Sequence, residues 1–126
     1  MDPARRTHAR FPCDLKVVVH TGPVGGLNIG EGVVLDLSLT GALLRFAGLM
    51  KVGATYRLSL KWAEGVLDLP CRVARDAGRS AKAPAARHFG LTFNLTYDQE
   101  KALMRLIDQV RRGAGGEDGF MRGYWG

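Results

Sequence analysis

The sequence has no apolar run close to the roughly 20 residues that a bilayer-spanning helix needs, and it has only 2 cysteines. Membrane insertion is therefore not expected. Cys13 and Cys71 show neither metal-ligand spacing nor a CxxC motif, which favours buried free thiols in a reducing compartment. The basic N-terminus is not followed by the apolar segment of a secretory signal, so we expect a cytoplasmic protein.

Residues that could carry catalysis are few and scattered. His8, His20 and His88 show no metal-ligand spacing and have no nucleophile beside them in a recognisable motif. The segment from Gly25 to Gly30 is rich in glycine, but it lacks the lysine and the following helix of a phosphate-binding loop. We therefore expect a binding protein rather than an enzyme, with no metal and no other cofactor.

Positive charge is the most informative feature of the composition. The 126 residues suffice for one domain with its own core, and they carry a formal net charge of +6, with arginine outnumbering lysine. A basic protein favours anionic partners, and the planar arginine fork can hold a phosphate or a guanine edge through two hydrogen bonds. A coding bias toward arginine is an equal alternative on composition alone.

Short alternating segments predict a β-rich fold that is followed by one helix. The six expected strands span residues 15–20, 32–39, 42–46, 56–62, 66–75 and 88–94. Thr96 and Gln99 have the spacing of a capping box, and apolar residues at helical spacing continue to a stop at Gly113. The predicted fold class is all-β with one C-terminal helix, built as a small six-stranded antiparallel barrel.

The chain divides into three regions by composition. Residues 1–12 are polar and basic and predict an arm, and residues 13–112 hold the barrel and its helix. Residues 113–126 are rich in glycine and lack periodicity, which predicts a flexible tail. Within the barrel, the small and basic residues 77–86 predict a flexible loop.

The first polar cluster that could bind a ligand lies in the arm. Arg5, Arg6 and Arg10 come shortly before the first predicted strand. Their guanidinium groups could hold phosphate oxygens or the O6 and N7 edge of guanine. A basic arm is usually just solvated, so this cluster alone is weak evidence.

The second polar cluster lies at a strand–turn–strand junction and contains Asp36, Ser38 and Gly41. Between residues 35 and 39 leucines alternate with Asp36 and Ser38, which predicts that the leucines face the core and that the polar pair shares the outer face. The Asp36 carboxylate could accept hydrogen bonds from the N1–H and N2–H groups of a guanine. Gly41 would allow a tight turn and a close ligand. Asp, Ser and Gly collect at many turns, so only the combination with the arginines is specific.

Together these residues resemble the PilZ domain family, which has an RxxxR motif followed by a [D/N]xSxxG motif. Residues 6–10 (RTHAR) and 36–41 (DLSLTG) match both motifs in full. Residues 90–93 (GLTF) look like the closing strand of the family, so the resemblance covers roughly residues 4–112. It implies a six-stranded barrel that binds cyclic di-GMP without catalysing a reaction.

The resemblance also implies roles for individual residues. Arg6 and Arg10 would hold phosphate and guanine edges, and Asp36 and Ser38 would hold a guanine beside the turn that contains Gly41. One departure concerns Arg75, which stands where many family members have a large aromatic residue near the ligand. A guanidinium can also stack on a base, so Arg75 joins the expected site.

The function expected from this resemblance is that of a receptor. Cyclic di-GMP would order the arm onto the barrel and change a surface that binds an unidentified protein partner. Arg5, directly before RxxxR, adds a cation that suits an intercalated ligand dimer, so two ligand molecules per chain are expected. One alternative is a PilZ-like adaptor that acts without the nucleotide. Another is a basic barrel that binds RNA or single-stranded DNA, although no aromatic ladder accompanies the basic residues.

Overall fold

The computed structural model describes residues 9–22 and 25–114 of the chain. Its elements in chain order are β1 (Phe11–Thr21), β2 (Asn28–Leu37), β3 (Gly41–Phe46), β4 (Thr55–Trp62), β5 (Gly65–Arg79), β6 (Arg87–Phe93) and α1 (Tyr97–Ala114). The strands close into an antiparallel barrel in the order β1–β2–β3–β6–β5–β4. The predicted fold class is therefore confirmed. Strands β2 and β3 form one antiparallel hairpin and β4 and β5 form another.

The barrel interior is filled by alternate residues of the strands. In β1, Leu15, Val17 and Val19 are buried, whereas Lys16 between them is exposed. Because successive side chains of a strand point to opposite faces, this alternation gives one apolar inner surface and one polar outer surface. The inner surface forms a single hydrophobic core with residues from all six strands.

Helix α1 begins with the predicted capping box. The Gln99 backbone N–H donates to the Thr96 hydroxyl at 3.2 Å, and the Thr96 N–H donates to the Gln99 side-chain oxygen at 2.9 Å. The buried face of the helix joins the barrel core through Leu103, Leu106, Ile107 and Val110. In the part of the chain that the structure describes, no helix has the length and apolarity needed to cross a membrane.

Two contacts fasten α1 to the end of the barrel at which β1 begins. The guanidinium of Arg111 lies over the ring of Phe11, 5.2 Å from its centroid. Arg105 pairs with Glu64 in the turn between β4 and β5, at 2.8 Å. The first residue of β1 is thus covered by the last turns of the helix.

Strand β1 starts earlier than the sequence predicts. Phe11 and Pro12 already pair with Leu37 and Asp36 of β2, although residues 11 and 12 were expected in the arm. Pro12 is tolerated because β1 has a register irregularity directly after it, where ladder hydrogen bonds are interrupted. The remaining arm residues 1–8 lie outside the described residues.

The predicted loop at residues 77–86 is wrong in its first part, because β5 continues to Arg79. The register of β5 against β6 shifts twice, and the second shift ends at Gly78, which has a φ of +96°. A strand with two bulges loses the simple alternation by which a sequence predicts it. Helix α1 ends at Ala114, one residue beyond the expected stop, and residues 115–126 lie outside the described residues.

The predicted leucine face of β2 is right for Leu37 and wrong for Leu35. Val34 and Leu37 are buried, whereas Leu35 and Leu39 are only partly buried. The register of β2 against β3 shifts between Val34 and Asp36, which inserts one extra residue. After a bulge, the side chains that would have pointed inward point outward, and the reverse. The bulge therefore places Asp36 on the outer face and the next residue, Leu37, in the core.

Candidate ligand-binding site

One row of residues crosses the outer face of the barrel at Asp36. Backbone pairing links Pro12 of β1 to Asp36 of β2, and Asp36 to Leu43 of β3. Leu43 pairs with Gly90 of β6, and Gly90 with Arg75 of β5. Because paired strands lie about 4.8 Å apart, this row places an aspartate and an arginine on either side of a leucine and a glycine. We call these five residues the upper row.

Arg10 reaches the upper row from the end of the arm. Its Nε and terminal nitrogen both donate to Oδ1 of Asp36, at 3.1 and 2.8 Å. The two side chains are 38% and 27% exposed, so the pair is an ordinary surface ion pair worth roughly 0–1 kcal/mol. Oδ2 of Asp36 has no hydrogen bond within residues 9–22 and 25–114, and an incoming donor could bind it without breaking the pair.

Gly90 gives the upper row its shape. A side chain at this position would come within 3.0 Å of Cγ and 3.1 Å of Nε of Arg75. The stem of Arg75 therefore lies against the bare backbone of β6, while the residue remains exposed to solvent. An open depression of about 450 Å³ results, lined by Arg10, Pro12, Asp36, Leu43 and Arg75.

Ser38 does not share the outer face with Asp36, and the expectation that it does is wrong. Its side chain is 3% exposed. The hydroxyl accepts the backbone N–H groups of Thr40 and Gly41, at 3.2 and 3.1 Å, and lies 3.2 Å from the Gly41 carbonyl oxygen, to which it can donate. The serine of the motif thus holds together the turn that joins β2 to β3.

Gly41 is required by the neighbouring strand. A Cβ on this residue would overlap the carbonyl oxygen of Leu91 in β6. The close approach brings β6 against the turn, where the Phe93 N–H donates to the Thr40 carbonyl at 2.9 Å. Since Gly90 belongs to the same strand, Gly41 positions the floor of the depression rather than contacting a ligand there.

Both cysteines have pKa values above the ordinary value of a thiol. Burial raises the pKa of Cys13 to about 12, with a smaller contribution from the charges of Asp36 and Asp14. Burial likewise raises the pKa of Cys71 to about 12. Both therefore remain protonated near neutral pH. Among the described residues, no group of histidine, cysteine, aspartate or glutamate is placed to hold a metal ion.

The structure thus brings together three of the seven residues that the sequence suggested for the site, Arg10, Asp36 and Arg75. Ser38 and Gly41 build the adjoining turn, and Arg5 and Arg6 lie outside the described residues. Sequence reasoning missed Leu43 and Gly90 as members of the site. Both residues enter the site through strand pairing, Leu43 opposite Asp36 and Gly90 opposite Leu43. No local sequence pattern indicates which residues of two strands pair.

Comparison with known proteins gives a consistent result. The family model of the PilZ domain matches residues 4–109. The PilZ domain of CeSA from a cellulose-synthesizing bacterium is 23% identical with a TM-score of 0.63, and the match covers 82% of this chain and 98% of that one. The PilZ domain of YcgR from Escherichia coli, solved with c-di-GMP, is 19% identical with a TM-score of 0.69, covering 91% and 98%.

A third solved structure belongs to a longer protein. The inhibitor of motility MotI (DgrA) from Bacillus subtilis is 20% identical with a TM-score of 0.65, and the match covers 89% of this chain but 52% of that one. The chain therefore spans about half the length of MotI. No curated protein matches the chain. The solved structures share its fold, the family model covers most of its length, and the chain belongs to the PilZ domain family.

Proposed function

We propose that the chain is a receptor for cyclic di-GMP and that the nucleotide lies on the upper row. The observation that carries this proposal is the convergence of Arg10, Asp36 and Arg75 on one depression of the outer face. The depression offers two guanidinium groups for phosphate or for base stacking and one carboxylate for a guanine. PilZ domains are receptors for this nucleotide as a family, and the YcgR domain has been solved with it.

The geometry explains how a guanine could be chosen over other bases. Arg10 binds only Oδ1 of Asp36, so Oδ2 can accept N1–H or N2–H of guanine, while Oδ1 can accept the second donor beside Arg10. Adenine presents no such donor pair. A guanine held there would rest on Leu43 and the bare backbone of Gly90, with Arg75 beside it.

The arm is the element that the ligand would order. Arg10 pairs with Asp36 and β1 starts at the next residue, so the described end of the arm lies at the depression. In this proposal Arg6 and Arg5 close over the nucleotide, and the surface so created binds a protein partner. Arg5 adds the cation that a second, intercalated ligand molecule requires, and two molecules bind per chain.

Binding to single-stranded nucleic acid is the weaker alternative. Barrels with that function present exposed aromatic side chains on which bases stack. Here Tyr56 and Trp62 of β4 are buried, and among the described residues Tyr97 at the start of α1 is the exposed large aromatic. The adaptor alternative predicts a chain that binds its protein partner equally well with and without nucleotide.

Calorimetric titration with cyclic di-GMP tests the proposal, with cyclic di-AMP, GMP and GTP as competing ligands. Arg10→Ala and Asp36→Ala should each weaken binding about tenfold or more, because each removes a charge-assisted hydrogen bond worth roughly 1.5–3 kcal/mol. Arg105→Ala is the matched control, since it also breaks one exposed ion pair but lies on α1. A parent chain that does not bind, or that binds both cyclic dinucleotides equally, would refute the assignment.

A further inference from the structure

A second row of outward residues runs beside the upper row, two residues away from it along strands β3 and β6. Val33 of β2 pairs with Arg45 of β3, Arg45 with His88 of β6, and His88 with Gly78 of β5. On the other side Val33 pairs with Lys16 of β1. We call Lys16, Arg45 and His88 the lower row.

The lower row shares the outer face with the upper row. Arg45 lies two residues after Leu43 on β3, and His88 lies two residues before Gly90 on β6. The residues between them, Leu44 and Phe89, are buried and point inward. Two residues along a strand amount to roughly 6.7 Å, so a ligand on the upper row has the side chains of Arg45 and His88 beside it.

The two permanent cations of the lower row have no ion-pair partner. Within residues 9–22 and 25–114, no carboxylate lies within ion-pair distance of Arg45 or Lys16. Of the acidic residues nearest in the sheet, Asp36 pairs with Arg10 and Asp76 with Arg87. Glu31, two residues before Val33, is exposed and lines a depression with Lys16, so Arg45 is the cation of this row that lies farther from a free carboxylate. Holding uncompensated cations close together costs free energy, and an anion placed between them removes that cost.

Cyclic di-GMP has the charge distribution that two such rows would bind. It is a ring in which two phosphodiesters alternate with two guanosines, so a molecule anchored by one half presents the other phosphodiester at the far side of the ring. The upper row and Arg10 account for one guanine and one phosphate through Asp36, Arg10 and Arg75. In the proposal above, Arg5 and Arg6 cover the nucleotide from the side of the arm. On the barrel surface, the second phosphate has no partner in the upper row.

We infer that Arg45 and His88 form a second anion-binding row, which takes the distal phosphodiester of the bound dinucleotide. The inference rests on the proposed function. Arg45 donates from its guanidinium and His88 from a ring N–H, and both are partly buried in the sheet surface, which limits the side-chain freedom lost on binding. The lower row therefore distinguishes a cyclic dinucleotide from a mononucleotide, which reaches the upper row alone.

The test compares Arg45→Gln and His88→Gln with Lys61→Gln in calorimetric titrations with cyclic di-GMP. Lys61 is exposed on β4, which lies opposite β3 in the closed ring of strands, so its loss changes net charge equally but far from both rows. Arg45→Gln should weaken binding about tenfold and His88→Gln about threefold, whereas Lys61→Gln should change it less than twofold. The salt dependence of the affinity should also decrease in Arg45→Gln, and Arg45→Lys should restore part of it.

The outcomes separate this inference from the proposed function. If the parent binds and Asp36→Ala weakens binding, but Arg45→Gln behaves like Lys61→Gln, then the second row is refuted while the receptor proposal stands. If the parent does not bind cyclic di-GMP, both fail. Thermal unfolding of each variant should match that of the parent within a few degrees, because these side chains lie on the outer face and outside the hydrophobic core. Circular dichroism checks this before titration.

Discussion

Replacing Ser38 with alanine should destabilise the fold rather than remove a ligand contact. Its hydroxyl accepts the N–H groups of Thr40 and Gly41 inside the β2–β3 turn. Thr40 is exposed, so its N–H can bond to water after the substitution. Gly41 is buried, and its N–H would be left without a partner, which costs about 1–3 kcal/mol. For a chain of this size the melting temperature should fall by roughly 4–12 °C.

The matched variant is Asp36→Ala, which changes the other polar residue of the same motif. Asp36 loses only an exposed ion pair, so the free energy of unfolding should change by about 1 kcal/mol or less while affinity for the dinucleotide falls. Thermal denaturation and calorimetry on both variants, at a temperature where both are folded, give the comparison. If Ser38→Ala melts like the parent and loses as much affinity as Asp36→Ala, then the hydroxyl contacts the ligand and the division of roles is wrong.

Three further predictions concern the arm and the thiols. Calorimetry should give two cyclic di-GMP molecules per chain and one in Arg5→Leu; one molecule in the parent, or two in the variant, contradicts the role of Arg5. Hydrogen exchange at residues 4–10 should slow on ligand addition, and an arm that is already protected without ligand would contradict ordering on binding. Cys13 and Cys71 should resist alkylation in the folded chain at pH 8, because burial raises both pKa values to about 12. Since the thiols ionise near 9.0 when unfolded, the free energy of unfolding should decrease as the pH rises from about 9 to 12, as urea titrations at several pH values would show.

The barrel and its helix could be predicted because their signals are local. The strands alternate apolar and polar residues wherever they are free of bulges, and the capping box of α1 is contained in four consecutive residues. In β4 the same alternation places Tyr56 and Trp62 among the buried residues. Such patterns state which side chains face inward without knowledge of the neighbouring strands.

The wrong predictions occur where the neighbouring strand decides whether a side chain points into the core or outward. The bulge after Val34 turns Leu37 inward and leaves Leu35 half-buried. The local sequence does not show whether such a bulge is present. The orientation of Ser38 is decided by hydrogen bonds within the turn that follows. Leu43 and Gly90 enter the site only through pairing between β3 and β6, whose residues are far apart in the chain. Register, more than propensity, determines what surrounds Asp36.

Ring closure limits how a partner protein can bind this domain. Every one of the six strands that the structure describes has a hydrogen-bonded neighbour on both sides, so a partner can add a strand only where one of these ladders stops short. The ladder between β1 and β4 is such a place, because β1 pairs with β4 only from Val18 to Thr21. Strand addition, the route by which many adaptor domains capture extended peptides, is thus restricted to short stretches. Elsewhere recognition must use side chains on the outer faces of the strands, the loops or α1. Specificity for a partner can then be changed by surface substitutions that leave the backbone pairing intact.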